Sequence, residues 1–250
     1  MNVKIDDLLA AMKRLNRIVK ADNAEGHQWR YYNGKRSEPT FKKTRAAGKY
    51  ITNCMGGVSF ACKEAGIPAA ALQWYGGLNK IVWLSDKAKA DCKKYFDIIT
   101  LKKTVRTGVK KGMIQPGDIL TYTNMCHTNA YYGDSLSYDT GHAYCVGNGE
   151  GAPYKKWIGS LAHSNKKVAY ILRLKGSYIY RVQVGAFNAK ANADKRVAEV
   201  AQKSGFGCFI EQTDMMRVYC GSFENPRNAI DRVDDLEKAG ISGAFIIMKE

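Results

Sequence analysis

No run of this chain approaches the roughly 18 consecutive apolar residues that a membrane-spanning helix needs. Its opening residues, MNVKIDDLLAAMKRLNRIVK, lack the uncharged apolar stretch of a secretory signal, since Asp6 and Asp7 come early and charges recur throughout. The expectation is a protein made in a cytoplasm with no export address of its own. Acidic residues are scarce: 23 Asp and Glu face 39 Lys and Arg, for a net charge of +16. An excess of that size implies a polyanionic partner or an anionic surface, with nucleic acid, anionic lipid and cell-wall polymer all compatible. A disulfide framework is not expected. The cysteines (54, 62, 92, 126, 145, 208, 220) are odd in number, have no secretory signal with them, and sit in a chain large enough to fold without staples. Most read as small buried hydrophobes.

What is present is an ordinary globular composition, 45% hydrophobic and 25% charged over 250 residues, room for one large domain or two small ones. Val3, Ile5, Leu8, Leu9, Met12, Leu15 and Val19 fall at helical spacing and predict an amphipathic helix over residues 2–20. A basic stretch, NGKRSEPTFKKTRAAGKY (33–50), leads into ITNCMGGVSFACKEAGI (51–67). A helix is expected over DKAKADCKKYFDIIT (86–100), a turn and strand at QPGDILTYT (115–123), and strands at 128–133, 142–146 and 168–174. Strands and helices do not alternate regularly, which argues for an α+β fold over a doubly wound one. Lys175-Gly176-Ser177 reads as a linker between a domain over 1–175 and a module over 178–250.

Cys54 opens a helical run through Val58, Phe60, Ala61, Cys62 and Ala65 to Gly66. A thiol at a helix N-terminus is favoured in its nucleophilic, anionic form. The terminal amides could also serve as an oxyanion hole. Gly56 and Gly57 weaken the helix and imply the close approach of a substrate backbone or a neighbouring strand. A cysteine nucleophile needs a base, and the chain has four histidines, 27, 127, 142 and 163. His127 begins a strand that follows the Gly117-Asp118 turn. The Gly133-Asp134-Ser135 turn can fold Asp139 back beside its ring as an orienting carboxylate. His142 is the competing base, or a substrate contact near the cleft. Cys126-His127 with His142-x-x-Cys145 is a possible zinc set, though an adjacent Cys-His pair fits one tetrahedral site poorly. His27 and His163 read as surface or packing residues, and Cys62 as core.

The stretches NCMGGV, GDILTY and HTNAYYGDSLSYD resemble the NlpC/P60 cysteine peptidases, whose usual form is DCSGFV, GDLVFF and HVGIYIGNGxMIH. The resemblance spans residues 45–174. It implies a papain-like fold, a Cys-bearing helix on an antiparallel sheet, with Cys54 as nucleophile, His127 as base and Asp139 as the third polar residue. It also implies cleavage of an amide in peptidoglycan. Asn53 stands where Asp is usual, Met55-Gly56-Gly57 where Ser-Gly-Phe is usual, and Asp139 where His is commoner. For the family's upstream tyrosine only Tyr50 offers itself.

Beyond the linker, strand, helix, strand, strand, helix and strand follow in the ferredoxin-like βαββαβ order. VQVGAFNAKANA and RVYCGSFENPRNA echo one another. YRVQVGAF, RVYCGSF and GAFII closely resemble the SPOR family, which implies binding of glycan strands that lack stem peptides. Alternation places Val182, Val184, Val218 and Cys220 inward and Arg181, Gln183, Arg217 and Tyr219 on the open face. RRM domains share the element order, but only Tyr219 is placed for the base stacking they use.

The expectation is therefore a peptidoglycan hydrolase of phage-endolysin type. Cys54, His127 and Asp139 would be catalytic, Gly56, Gly57 and His142 would contact the stem peptide, and Gln183, Arg217 and Tyr219 the glycan. The bond is that of a stem-peptide endopeptidase or an N-acetylmuramoyl-L-alanine amidase. No cofactor, metal, nucleic acid or membrane span is expected, and the chain is expected to be a monomer. A non-catalytic wall binder with a degenerate hydrolase domain is the alternative, and RNA binding a weaker one.

Overall fold

The computed structural model describes residues 3–32, 41–72, 74–77, 80–123, 125–146, 151–176 and 178–249. By packing, the chain divides into two units: Met1–Arg106 with Ile114–Gly176, and Thr107–Met113 with Ser177–Glu250.

The first unit opens with α1 (Ile5–Ala24), whose apolar stripe Leu8, Ala11, Met12, Leu15 and Val19 is buried. A short strand β1 (Arg30–Tyr31), a helix α2 (Phe41–Ala46) and a strand β2 (Ile51–Thr52) follow, β1 and β2 pairing in parallel. Residues 33–40 of the basic stretch lie outside the described residues. Then come α3 (Cys54–Glu64), the hairpin β3 (Trp74–Gly77) and β4 (Lys80–Trp83), and α4 (Asp86–Tyr95). The chain continues through β5 (Phe96–Thr100), α5 (Val105–Lys110), β6 (Ile119–Tyr122), β7 (Thr128–Gly133), β8 (Leu136–Tyr138), β9 (Ile158–Ser160) and β10 (Val168–Leu174). These strands build one antiparallel sheet in the order β5-β10-β6-β7-β8-β9. The α+β expectation holds at this level.

Two expected elements differ. The helix expected over 86–100 stops at Tyr95, because Phe96–Thr100 pairs with β10, Asp97 opposite Arg173. The β-branched and aromatic FDIIT run fits a pleated surface better than a helix. The strand expected at 142–146 is instead a 3₁₀ turn over His142–Tyr144. Asp139 Oδ1 accepts the Gly141 N–H at 2.6 Å. This Asx turn lifts the chain out of the sheet just past β8.

Two buried clusters hold the unit. Trp29 stacks on Phe41 at 4.8 Å and meets Trp157 edge-on at 5.2 Å. Its indole N–H reaches Asp22 at 2.9 Å, and Asp22 is paired with Arg45 at 2.7 Å. In the sheet, Arg173 donates to Asp118 from Nε at 2.9 Å and from Nη2 at 2.6 Å, both residues almost fully buried. Asp118 also accepts the Gln115 N–H at 2.7 Å. The Gly117-Asp118 turn thus positions an ion pair that locks β6 to β10.

The second unit has β11 (Ile179–Phe187), α6 (Lys190–Ser204), β12 (Phe209–Gln212), β13 (Met216–Phe223), α7 (Pro226–Lys238) and β14 (Phe245–Lys249). The antiparallel sheet runs β12-β13-β11-β14, and the βαββαβ order is the expected one. Asn225 caps α7, accepting the Arg227 N–H at 2.9 Å. Val182, Val184, Val218 and Cys220 are buried as expected. The internal echo has a packing basis. A Cβ on Gly185 would lie 2.6 Å from the Phe187 ring, and one on Gly221 2.5 Å from the Phe223 ring. Each glycine is covered by the phenylalanine two positions on. Arg196 donates to the Val184 carbonyl at 3.0 Å, and Arg232 to the Cys220 carbonyl at 3.3 Å, so the two halves repeat the same arginine as well.

Thr107–Met113 completes this unit from a distant part of the sequence. The Ile246 N–H on β14 donates to the Lys111 carbonyl at 2.8 Å, and the Lys111 ammonium pairs with Glu237 of α7 at 2.7 Å. Among the described residues no helix is long and apolar enough to cross a membrane.

Candidate functional site

Cys54 is the first residue of α3 and is half-buried. Asn53 is the helix cap: its Oδ1 accepts the Gly56 N–H at 2.8 Å, a role that Asp and Asn fill equally well. At Gly57 the helix meets the chain just past β8. A Cβ there would lie 2.2 Å from the Thr140 side chain, whose hydroxyl donates to the Asn53 carbonyl at 2.8 Å. Gly57 is therefore a buried packing residue. Its expected substrate contact is corrected: Thr140 occupies the space that the missing side chain leaves. Gly56 is half-buried, with its amide spent on the cap.

The β7–β8 hairpin turns at Asp134-Ser135, both at positive φ (48° and 57°), a two-residue turn matched to strand twist. Ala130 lies opposite Tyr138. Extending that register puts Asn129 opposite Asp139 and His127 opposite Gly141. The side chains follow: His127 Nε2 lies 2.9 Å from Asp139 Oδ2, and Asn129 Nδ2 donates to the same oxygen at 3.0 Å. A Cβ on Gly141 would fall 2.3 Å from the His127 ring, so only glycine lets the imidazole lie across this strand end. Tyr122 stacks on His127 at 5.7 Å and donates its hydroxyl to Asn129 at 2.8 Å. With Nε2 engaged by Asp139, the ring keeps Nδ1 for the Cys54 side chain, whose charge helps hold the imidazole in its protonated form.

Burial pushes the imidazole down, but the Asp139 charge and hydrogen bond, followed by those of Cys54, outweigh it and lift His127 to about 10. Burial likewise favours neutral Asp139, yet His127 and then His163 hold the carboxyl well below the usual carboxylate range. The pair is an ion pair shielded from water. A base raised on folding adds stability that is complete below its unfolded pKa and disappears as pH climbs through the folded one. Thermal stability should therefore fall as the pH climbs from 6.5 towards about 10. Melting followed across that range should show the slope in the wild type and its loss in Asp139→Asn.

His163 is not the surface or packing residue expected from sequence. Its Nε2 lies 3.4 Å from Asp139 Oδ2, and its ring meets His127 edge-on at 4.6 Å. Asn129 was legible in principle, since the hairpin register that brings Asp139 to His127 also faces it with Asn129. His163 arrives from a loop with no spacing signal. His142 has only its backbone among the described residues, on the 3₁₀ turn. His27 stacks on Tyr50 at 5.0 Å. Cys62 is core, its thiol pushed up by burial. Among the described residues, the donor set for a metal ion is His127, Asp139 and His163, one ligand atom each within 4.8 Å of one another. It does not include the cysteines considered from sequence. Its His127 and Asp139 atoms are already bonded to each other.

On the second unit, the sheet face away from α6 and α7 carries Phe209, 40% exposed, against Tyr219 at 5.5 Å. The Arg181 guanidinium lies over the Tyr219 ring at 5.3 Å and Lys249 at 5.6 Å. Both cations pair with Glu211, at 2.5 Å and 3.0 Å. Those two hydrogen bonds hold the Glu211 carboxyl down to about 2.

A model of the SPOR domain matches residues 176–247. These residues are a SPOR domain. The solution structure of the peptidoglycan binding domain of the B. subtilis cell wall lytic enzyme CwlC is also similar. It is 32% identical, covering 30% of this chain and 95% of that one, with a TM-score of 0.28. No curated protein matches the chain. On the SPOR domain face the sequence placed Gln183, Arg217 and Tyr219 outward. Tyr219 is buried, covered by Arg181 and Lys249, so its expected direct contact is corrected. Arg217 is turned to the β12–β13 turn, pairing with Asp214 at 2.8 Å. Gln183 is buried beside Tyr219 in the register, its Oε1 without a hydrogen-bond partner. The groups that sequence reasoning missed on this SPOR face are Phe209, Glu211 and Lys249. All three lie on the outer strands β12 and β14.

Proposed function

We propose that the chain binds bacterial peptidoglycan through its SPOR domain and hydrolyses an amide bond of that polymer with Cys54, His127 and Asp139. The observation that carries the reading is the 2.9 Å pairing of His127 with the buried, ionised Asp139, with the Cys54 side chain acting on the same imidazole. The resemblance of the same stretches to NlpC/P60 peptidases supports it. In this reading the Cys54 sulfur attacks an amide carbonyl, and the oxyanion lies against the first amides of α3. The His127 Nδ1–H protonates the leaving amine, and the acyl group stays on sulfur. The neutral ring then takes a proton from water, which attacks the thioester and releases the carboxylate. Asp139 fixes the ring and stabilises its cation, held in turn by Asn129, Gly141 and His163. The SPOR domain keeps the enzyme on the wall and raises its effective concentration there.

The test is digestion of purified peptidoglycan with product termini identified by mass spectrometry. Newly freed muramic acid lactyl groups mean an amidase, and new stem-peptide amines an endopeptidase. No products with retained sedimentation on the wall would sink the catalytic half and leave a binder. Because the His127 and Asp139 ligand atoms are committed to each other, EDTA should leave the rate unchanged and zinc ion should lower it. A rate abolished by EDTA and restored by zinc would instead assign the site to a metal.

A further inference from the structure

We propose that Cys208 and Cys220 form a cross-strand redox site in the SPOR domain, which closes to a disulfide in oxidising surroundings and pins the edge strand β12 to β13. The register gives the geometry: Phe209 lies opposite Tyr219, so the next pair outward is Cys208 opposite Cys220. Directly opposed residues of an antiparallel pair bring their Cβ atoms within about 4.5–5.5 Å, close to the span of a disulfide. The Cys220 thiol already donates to the carbonyl of Gly207, the residue next to Cys208, at 3.7 Å. They lie on the helix side of the sheet, and alternation puts Phe209 and Glu211 on the other side.

The internal repeat singles out this position. Val184 is the counterpart of Cys220, and Arg196 touches only its carbonyl, whereas Arg232 reaches both the Cys220 carbonyl at 3.3 Å and its sulfur at 3.7 Å. The hydrogen bond from Cys208 outweighs burial, Arg232 adds to it, and the Cys220 thiol comes down to about 6. Cys62 and Cys92 show the opposite environment: burial among apolar groups pushes both thiols up, Cys92 to about 12.

Cys208 is half-buried and Cys220 fully buried, which orders the steps. A low-molecular-weight disulfide, RSSR, is attacked by the Cys208 sulfur as its proton passes to the Cys220 thiolate, forming a mixed disulfide and releasing one RS⁻, which takes that proton. The Cys220 sulfur then attacks the Cys208 sulfur and expels the second RS⁻. The protons of the two thiols end on two RSH, and two electrons have passed to RSSR. The product closes the loop that carries the β12–β13 turn and fixes the strand that presents Phe209 and Glu211.

Full-length protein incubated with glutathione disulfide, then blocked with N-ethylmaleimide and cut with trypsin, tests this. The expected product joins SGFGCFIEQTDMMR (204–217) to VYCGSFENPR (218–227) with the loss of two hydrogens. The melting temperature of the SPOR transition should rise by several degrees and return on adding dithiothreitol. Cys220→Ser should stop at a glutathione adduct on Cys208. Recovery of both wild-type peptides with maleimide on each cysteine, or linkage of either to a third cysteine, would overturn the proposal.

Discussion

Replacing Cys54 by alanine should lower the release of peptidoglycan fragments by at least ~10³-fold, while sedimentation with the insoluble wall stays at the wild-type level. The chemistry sets the size of the loss. In the proposed mechanism no acyl-enzyme forms without the sulfur, and only positioning and the helix amides remain, a residual that mutated nucleophile–base systems keep. Folding should survive, because the residue is half-buried at the first turn of α3 and the Asn53 cap does not depend on it. The conservative Cys54→Ser should be nearly as inactive, since a hydroxyl in this geometry is a far weaker nucleophile than a thiolate. Wild-type turnover by either variant would remove Cys54 from the mechanism. Loss of wall binding together with turnover would point to misfolding, which the melting curve would show.

The largest effect on stability is expected at Asp118. Asp118→Ala leaves the Arg173 guanidinium buried without its carboxylate, a change that costs about 3–5 kcal/mol in comparable buried pairs. Burial lifts the Asp118 carboxyl above its ordinary range despite the guanidinium, the mark of a heavily desolvated charge. Against a typical domain stability of about 5–15 kcal/mol, the variant should unfold at much lower urea. The four tryptophans, 29, 74, 83 and 157, all belong to the first unit, so their fluorescence reports its unfolding alone. Joint replacement with Asp118→Leu and Arg173→Met should recover most of the loss, because it removes the unpaired charge as well as the pair. A single Asp118→Ala midpoint within error of the wild type would show that the pair contributes nothing.

Local rules reached some of this and missed the rest for identifiable reasons. Asp139 was legible because a two-residue hairpin has a fixed register, and the register alone carries it to His127. The four inward residues of β11 and β13 were legible from alternation. Asn53 looked like a departure from the NlpC/P60 pattern; in the structure it is a helix cap, a role that tolerates the exchange. At Gly57 the sequence allows room for substrate or for a neighbouring strand, since both need the same absence of a side chain, and only the position of Thr140 decides between them. Tyr219 faces the expected side of its sheet. Its burial comes from Arg181 and Lys249, long side chains whose reach no period-two pattern encodes. His163 and Lys111 come from loop or helix-end positions far along the chain, where no periodicity acts.

The bond from Ile246 to Lys111 bears on how such a binding module can be moved between proteins. A cassette cut at residue 176 carries the whole family signature but leaves behind Thr107–Met113. Its β14 then presents the Ile246 amide with no Lys111 carbonyl, on a bare edge of the kind that invites strand addition from a second molecule, and Glu237 loses its lysine. Here the unit of inheritance and the unit of cohesion are different lengths of chain. Grafting the module onto a new catalytic partner with its solubility intact would require the donor's 107–113 segment, or a charged or proline-bearing edge in its place.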